Sequence, residues 1–154
     1  MSKISDTVNF KWWGYKNDEL KSESLEKTYQ GATSGLDMFN IYKKSAIVLN
    51  DYINSANGVA INQRIFEVLG VGSFMLTRRS EKLETLLPRD SYDTFTDDED
   101  CIRKIHYYLK NAKEREEKAK IGQQFILEKF NYKKLISKLS DQLREAYFEK
   151  FGTS

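Results

Sequence analysis

Asn62, Arg64 and Glu67 fall within two helical turns of one another in the run Asn62-Gln63-Arg64-Ile65-Phe66-Glu67-Val68-Leu69-Gly70-Val71-Gly72-Ser73-Phe74-Met75-Leu76-Thr77. The run reads as a short helix, a glycine turn and a buried strand. A helix start carries backbone N–H groups with no partner inside the helix. In an α/β sheet those groups face whatever lies over the strand ends, where such sheets take their ligands. The segment therefore suggests a nucleotide or phosphate site. Each residue also has a plainer role. Asn62 can serve as an N-cap, Glu67 can complement the helix dipole, and Arg64 can pair with an acidic surface residue.

Other chemistry is poorly supplied. One histidine and one cysteine make a structural zinc site very unlikely, and Cys101 has no sequence neighbour that would activate a thiolate. His106 reads as a structural residue on a helix. A single cysteine excludes an internal disulfide framework and fits a reducing cytosol. The net charge of +2 is too small to argue for nucleic acid, although the last third is more basic than the rest. No apolar run reaches the length of a bilayer span and the first residues lack a signal-peptide core, so the expectation is a cytoplasmic protein.

The elements that must position the site follow from periodicity. Val8 to Trp13 reads as a strand ending at Gly14, Asp18 to Tyr29 as an exposed helix, and Leu36 to Lys44 as a helix with an apolar stripe. Ala46 to Leu49 is a continuous apolar run, as expected of a strand buried on both faces. A loop over Asp51 to Val59 leads into the helix Asn62 to Leu69 and the strand Ser73 to Thr77. Glu81 to Leu87 is a short helix closed by Pro88, and Tyr92 to Phe95 a last short strand. Thr96 offers a capping hydroxyl before a helix ending near Lys110. Two further helices cover Ala112 to Phe130 and Tyr132 to Phe151, the last with a long regular apolar face.

Alternation of strands and helices predicts an α/β fold: a doubly wound, mainly parallel, Rossmann-like sheet with extra C-terminal helices. Residues 1–154 suit a single domain, with the helix near 132–151 packing at its edge. The loops at the strand carboxyl ends begin at Gly14, Asn50, Thr77 and Phe95, and the first includes Tyr15 and Lys16.

The order of these motifs resembles the carboxyl-terminal half of two-domain (GT-B) glycosyltransferases, of the CgeB-like, group-1 type. The resemblance runs from Phe10 to Leu139 and is best defined over Asn62 to Thr77, in the arginine, phenylalanine-glutamate, glycine and strand pattern. It implies a donor domain that binds a nucleoside diphosphate sugar, with no obligatory metal or other cofactor. By that likeness Glu67 accepts hydrogen bonds from ribose hydroxyls, as a carboxylate can from a vicinal diol. The helix start around Asn62 and the fork of Arg64 face the diphosphate. Gly14 lets backbone approach the phosphates, with Lys16 in the same loop.

Two departures bear on function. Related enzymes carry two glutamates eight positions apart, and Val59 occupies the earlier position here. The acceptor would be held by a missing N-terminal domain or by a partner chain. Some relatives also dock to lipid headgroups through a basic face, so a peripheral membrane contact belongs among the expected partners. The competing reading is a non-catalytic interaction module of the same fold.

Overall fold

Three short strands build the centre of the molecule. The computed structural model describes residues 2–15, 22–51 and 61–152. Strands β1 (Val48–Asn50), β2 (Met75–Arg78) and β3 (Asp93–Phe95) form a parallel sheet in that order. Leu49 lies opposite Leu76, and Thr77 opposite Thr94.

Successive side chains leave the sheet on opposite faces. Val48 and Met75 enter one core with Ile65, Val68 and Leu69. Phe74, Leu76 and Phe95 enter the other with Cys101, Ile105 and Tyr108. Both faces are therefore covered, which is why the strands read as apolar runs rather than as alternating patterns.

The helices supply those covers. Around the sheet run α1 (Ser2–Ser5), α2 (Glu23–Thr28), α3 (Gly35–Lys44), α4 (Gln63–Gly70) and α5 (Glu81–Leu86). A single 3-10 turn, Arg89–Ser91, leads into β3, and α6 (Asp98–Lys110), α7 (Ala112–Lys129) and α8 (Tyr132–Phe151) follow. Helices α4 and α5 lie on the Val48–Met75 face, and α6 on the other with Ile4 of α1. The fold is the doubly wound parallel α/β architecture expected, with helices at its C-terminal end.

Helix α7 reaches both layers, because Ala119 joins one core and Ile126 the other. Gly122 sits between them at the closest approach. A Cβ there would lie 2.9 Å from Leu69 Cδ2 and 3.2 Å from the Ser91 carbonyl oxygen. Only glycine lets α7 lie this close to α4 and the turn before β3.

Two expectations are corrected. Residues 8–13 do not enter the sheet. Trp12 instead makes one parallel bridge to Tyr29, its N–H donating to the Thr28 carbonyl and its carbonyl accepting from Gln30. The Trp12 indole donates to the Leu25 carbonyl at 2.7 Å, and its ring lies 4.4 Å from that of Tyr29. The segment has the β character its residues suggest, but α2 and residues 28–31 are its partners. Second, α6 is capped one residue later than read: the Asp97 carboxylate, not the Thr96 hydroxyl, accepts from the Asp100 N–H. The ionised carboxylate is the stronger acceptor, and this bond holds the Asp97 carboxyl below its usual range. Helix α8 forms over the expected residues and buries none of them.

The exposed helix expected over Asp18 to Tyr29 is α2 alone within the described residues. The loop 52–60 and residues 16–21 lie outside them.

Candidate functional site

The carboxyl edge of the sheet carries two groups of polar side chains, one on each face. On the α4 face, Asn50 ends β1, Thr77 lies in β2 and Asn62 precedes α4. Asn62 Nδ2 donates to Asn50 Oδ1 at 2.8 Å, and Asn50 Nδ2 donates to Thr77 Oγ1 at 3.0 Å. Asn50 and Thr77 are buried at 1% and 0% exposure, so this chain is shielded from competing water.

The consequence falls on α4. Asn62 stands at the N-cap in extended conformation but makes no capping bond with its side chain. Its Nδ2 is committed to Asn50, and its side chain leaves the first-turn N–H groups uncapped. Asn62 Oδ1 is itself shielded from solvent and has no hydrogen-bond partner among the described residues. A helix start of this kind accommodates an anion.

Further along α4, Arg64 is exposed and Glu67 half-buried, one turn apart. Tyr42 reaches them from α3. Burial lifts the Tyr42 hydroxyl above its ordinary range, and the Arg64 guanidinium within hydrogen-bond reach pulls it back. Glu67 is close enough to act on the same hydroxyl through its charge. Phenol, guanidinium and carboxylate thus form one cluster between α3 and α4, and Ser73 ties Tyr42 down by donating its hydroxyl to the Tyr42 carbonyl at 2.8 Å.

On the α6 face, Arg78 closes the strand ends. Its Nε and Nη2 donate to the two Asp51 carboxylate oxygens at 2.6 and 3.1 Å, and Nη1 donates to the Thr96 carbonyl at 3.1 Å. The guanidinium carbon lies 5.0 Å from the centre of the Phe95 ring. This bidentate pair links the chain after β1 to β2 and β3. The adjoining hollow holds about 20 Å3, room for a single water and not for a nucleotide. A larger groove of about 400 Å3 runs between α1 and α2. Of its charged lining residues Asp6 is exposed and the Glu23–Lys27 pair largely solvated, so none offers a fixed charge to a ligand.

The residues singled out in the sequence fall into separate places. Asn62, Arg64 and Glu67 share α4 and its start. Gly14 belongs to the N-terminal assembly, where its N–H donates to the Gly31 carbonyl and its carbonyl accepts from the Tyr29 hydroxyl at 2.8 Å. Its φ of 153° is a backbone conformation that side chains strain. Lys16 and Val59 lie outside the described residues. Asn50, Thr77 and Tyr42 escaped the sequence reading as site residues, since only the strand register brings Asn50 beside Thr77. Arg78 is the clamp described above, and its neighbour Arg79 pairs with Glu84 at 2.9 Å.

Among the described residues no group of three or more His, Cys, Asp or Glu side chains could hold a metal ion. Cys101 is buried, and desolvation pushes its thiol up to about 11. At neutral pH it is a protonated, unreactive core residue. No helix among the described residues is long and apolar enough to cross a membrane.

A parallel sheet covered on both faces by helices places the chain in the class of open α/β domains. The glycosyl transferase-like family matches residues 1–141, and the chain belongs to that family. No curated protein and no solved structure matches the chain.

Proposed function

We propose that this chain is the donor-binding domain of a GT-B glycosyltransferase of the CgeB-like kind. It binds a nucleoside diphosphate sugar for transfer to an acceptor held by another domain or a partner chain. The observation that carries this reading is the start of α4. Among the described residues Asn62 does not cap its N–H groups, and its side chain bonds Asn50. Membership of the glycosyl transferase-like family supports the same reading.

In this proposal the diphosphate lies over the α4 start, met by backbone N–H groups and by the Arg64 fork. Glu67 accepts hydrogen bonds from the two ribose hydroxyls. As the glycosyl bond breaks, charge grows on the leaving diphosphate, and fixed donors aimed at it lower the barrier without an obligatory metal. Gly14 and Lys16 are proposed as further contacts to the phosphates.

The test is a titration of three ligands: a nucleoside diphosphate, its monophosphate and its 2′,3′-dideoxy analogue. Wild-type protein should bind the diphosphate best and lose about tenfold in affinity without the diol. In Glu67→Gln that diol preference should shrink. Equal affinity for all three ligands would refute the assignment.

A second reading, a non-catalytic interaction module, draws on the uncovered apolar face of α8. It expects no nucleotide affinity at all.

A further inference from the structure

Arg64 is exposed on α4, and an arginine side chain left to itself visits many rotamers. Glu67, one turn along, has the spacing of an ion-pair partner. The two do not pair: among the described residues neither Arg64 nor Glu67 makes a salt bridge. The guanidinium is turned to Tyr42 of α3 instead, close enough to its hydroxyl to oppose the effect of burial on that group.

Tyr42 is held from several sides. Its ring packs, half-buried, against the core that contains Ile65 and Val68 of α4. Its carbonyl accepts from the Ser45 N–H at 3.1 Å and from the Ser73 hydroxyl at 2.8 Å, and the second bond ties the end of α3 to the turn before β2. A tyrosine has two side-chain torsions to settle, so a packed ring on a fixed backbone gives its hydroxyl a defined position. The residue type matters as much as the position. A carboxylate would take the arginine fork in a bidentate pair and cancel its charge. A phenol oxygen accepts from one N–H, and burial keeps the phenol protonated and neutral, so the guanidinium retains its charge and its other donors. Among the described residues the Glu67 carboxylate accepts no hydrogen bond, which leaves both of its oxygens open to a diol.

We propose that Tyr42 is a positioning residue: its hydroxyl holds the Arg64 guanidinium without neutralising it, so that the fork meets the diphosphate already oriented and Glu67 stays free for the ribose. This rests on the reading of the α4 start as the diphosphate site. Tyr42 acts through Arg64 and does not itself touch the nucleotide.

The test is a double-mutant cycle on the full chain, titrated with whichever of UDP, GDP, ADP, CDP and dTDP binds most tightly. Tyr42→Phe keeps the ring and removes the hydroxyl. It should weaken diphosphate binding about fivefold while leaving the melting temperature nearly unchanged. In an Arg64→Ala background the same substitution should change affinity by less than about twofold, because no fork is left to orient. An equal loss in both backgrounds marks a merely structural role and overturns the proposal, as does a Tyr42→Phe protein that binds as the wild type does. The contact itself is read without nucleotide, by NMR. The Arg64 Nε–H resonance, assigned by its absence from Arg64→Ala, should shift and sharpen in Tyr42→Phe as the side chain gains motion. An unmoved resonance overturns the proposal and leaves the nucleotide site standing. Wild-type protein that binds none of the five diphosphates overturns the diphosphate reading, and this assignment with it, whatever the resonance shows.

Discussion

Asn62 donates its side-chain amide to Asn50 at 2.8 Å, tying the residue that starts α4 to the residue that ends β1. The bond holds the helix start over the strand ends and removes the side chain that would otherwise cap it. Removing Asn50 leaves both neighbours short of a partner, Asn62 Nδ2 as donor and Thr77 Oγ1 as acceptor. Asn50→Ala should therefore destabilise the fold by roughly 2–4 kcal/mol, read from urea unfolding. A change below about 0.5 kcal/mol would mean the network does not hold the edge together.

Gly122 tests the packing of α7. Alanine favours a helix over glycine by about 1 kcal/mol, so propensity alone predicts stabilisation by Gly122→Ala. The contacts awaiting a Cβ, 2.9 Å to Leu69 and 3.2 Å to the Ser91 carbonyl, predict the opposite sign. We expect a net loss of about 1–3 kcal/mol in chemical denaturation.

Arg64 and Arg78 separate binding from structure. Arg64 is exposed, and Arg64→Ala should leave the melting temperature nearly unchanged while weakening nucleoside diphosphate binding about tenfold. Arg78 is engaged by Asp51, Thr96 and the Phe95 face. Arg78→Ala should cost about 1–2 kcal/mol of stability, because the pair is only partly buried. A reversed pattern, with Arg64 structural and Arg78 dispensable for folding, would contradict the division.

Cys101 gives the protein an alkaline sensitivity of definite sign. Its thiol ionises near pH 9 when unfolded and is pushed up to about 11 by burial in the folded chain. The unfolded state loses its proton first, so stability is full below pH 9 and falls as pH rises from 9 to about 11. The slope from one group is at most about 1.4 kcal/mol per pH unit. Tyr108, raised by burial and by its bond to Asp93, adds loss in the same direction. Unfolding curves across that range should flatten in Cys101→Ala relative to wild type. An unchanged slope would place the sensitivity elsewhere.

Local patterns made the sheet and its helices readable. The strands are apolar runs because both faces are buried, and α4 to β2 follows directly from the helix, glycine and strand order. What residues 8–13 pair with was not readable, because β character fixes a conformation and not a neighbour. The regular face of α8 announced a helix, and nothing in its period says whether this chain covers it. The site divides the same way. Arg64 and Glu67 lie on one helix and could be found from spacing. The Asn50–Thr77 and Asp51–Arg78 contacts join residues far apart in sequence, and only the parallel register brings them together.

The central claim is that the start of α4 binds the diphosphate of a nucleotide sugar. Its most direct test is the thermal stability of this chain with UDP, GDP, ADP, CDP and dTDP, since a ligand bound only to the folded state raises the melting temperature. The account predicts a clear rise with one base that is lost in Glu67→Ala. No rise with any of the five at millimolar concentration, from a well-folded sample, would contradict it.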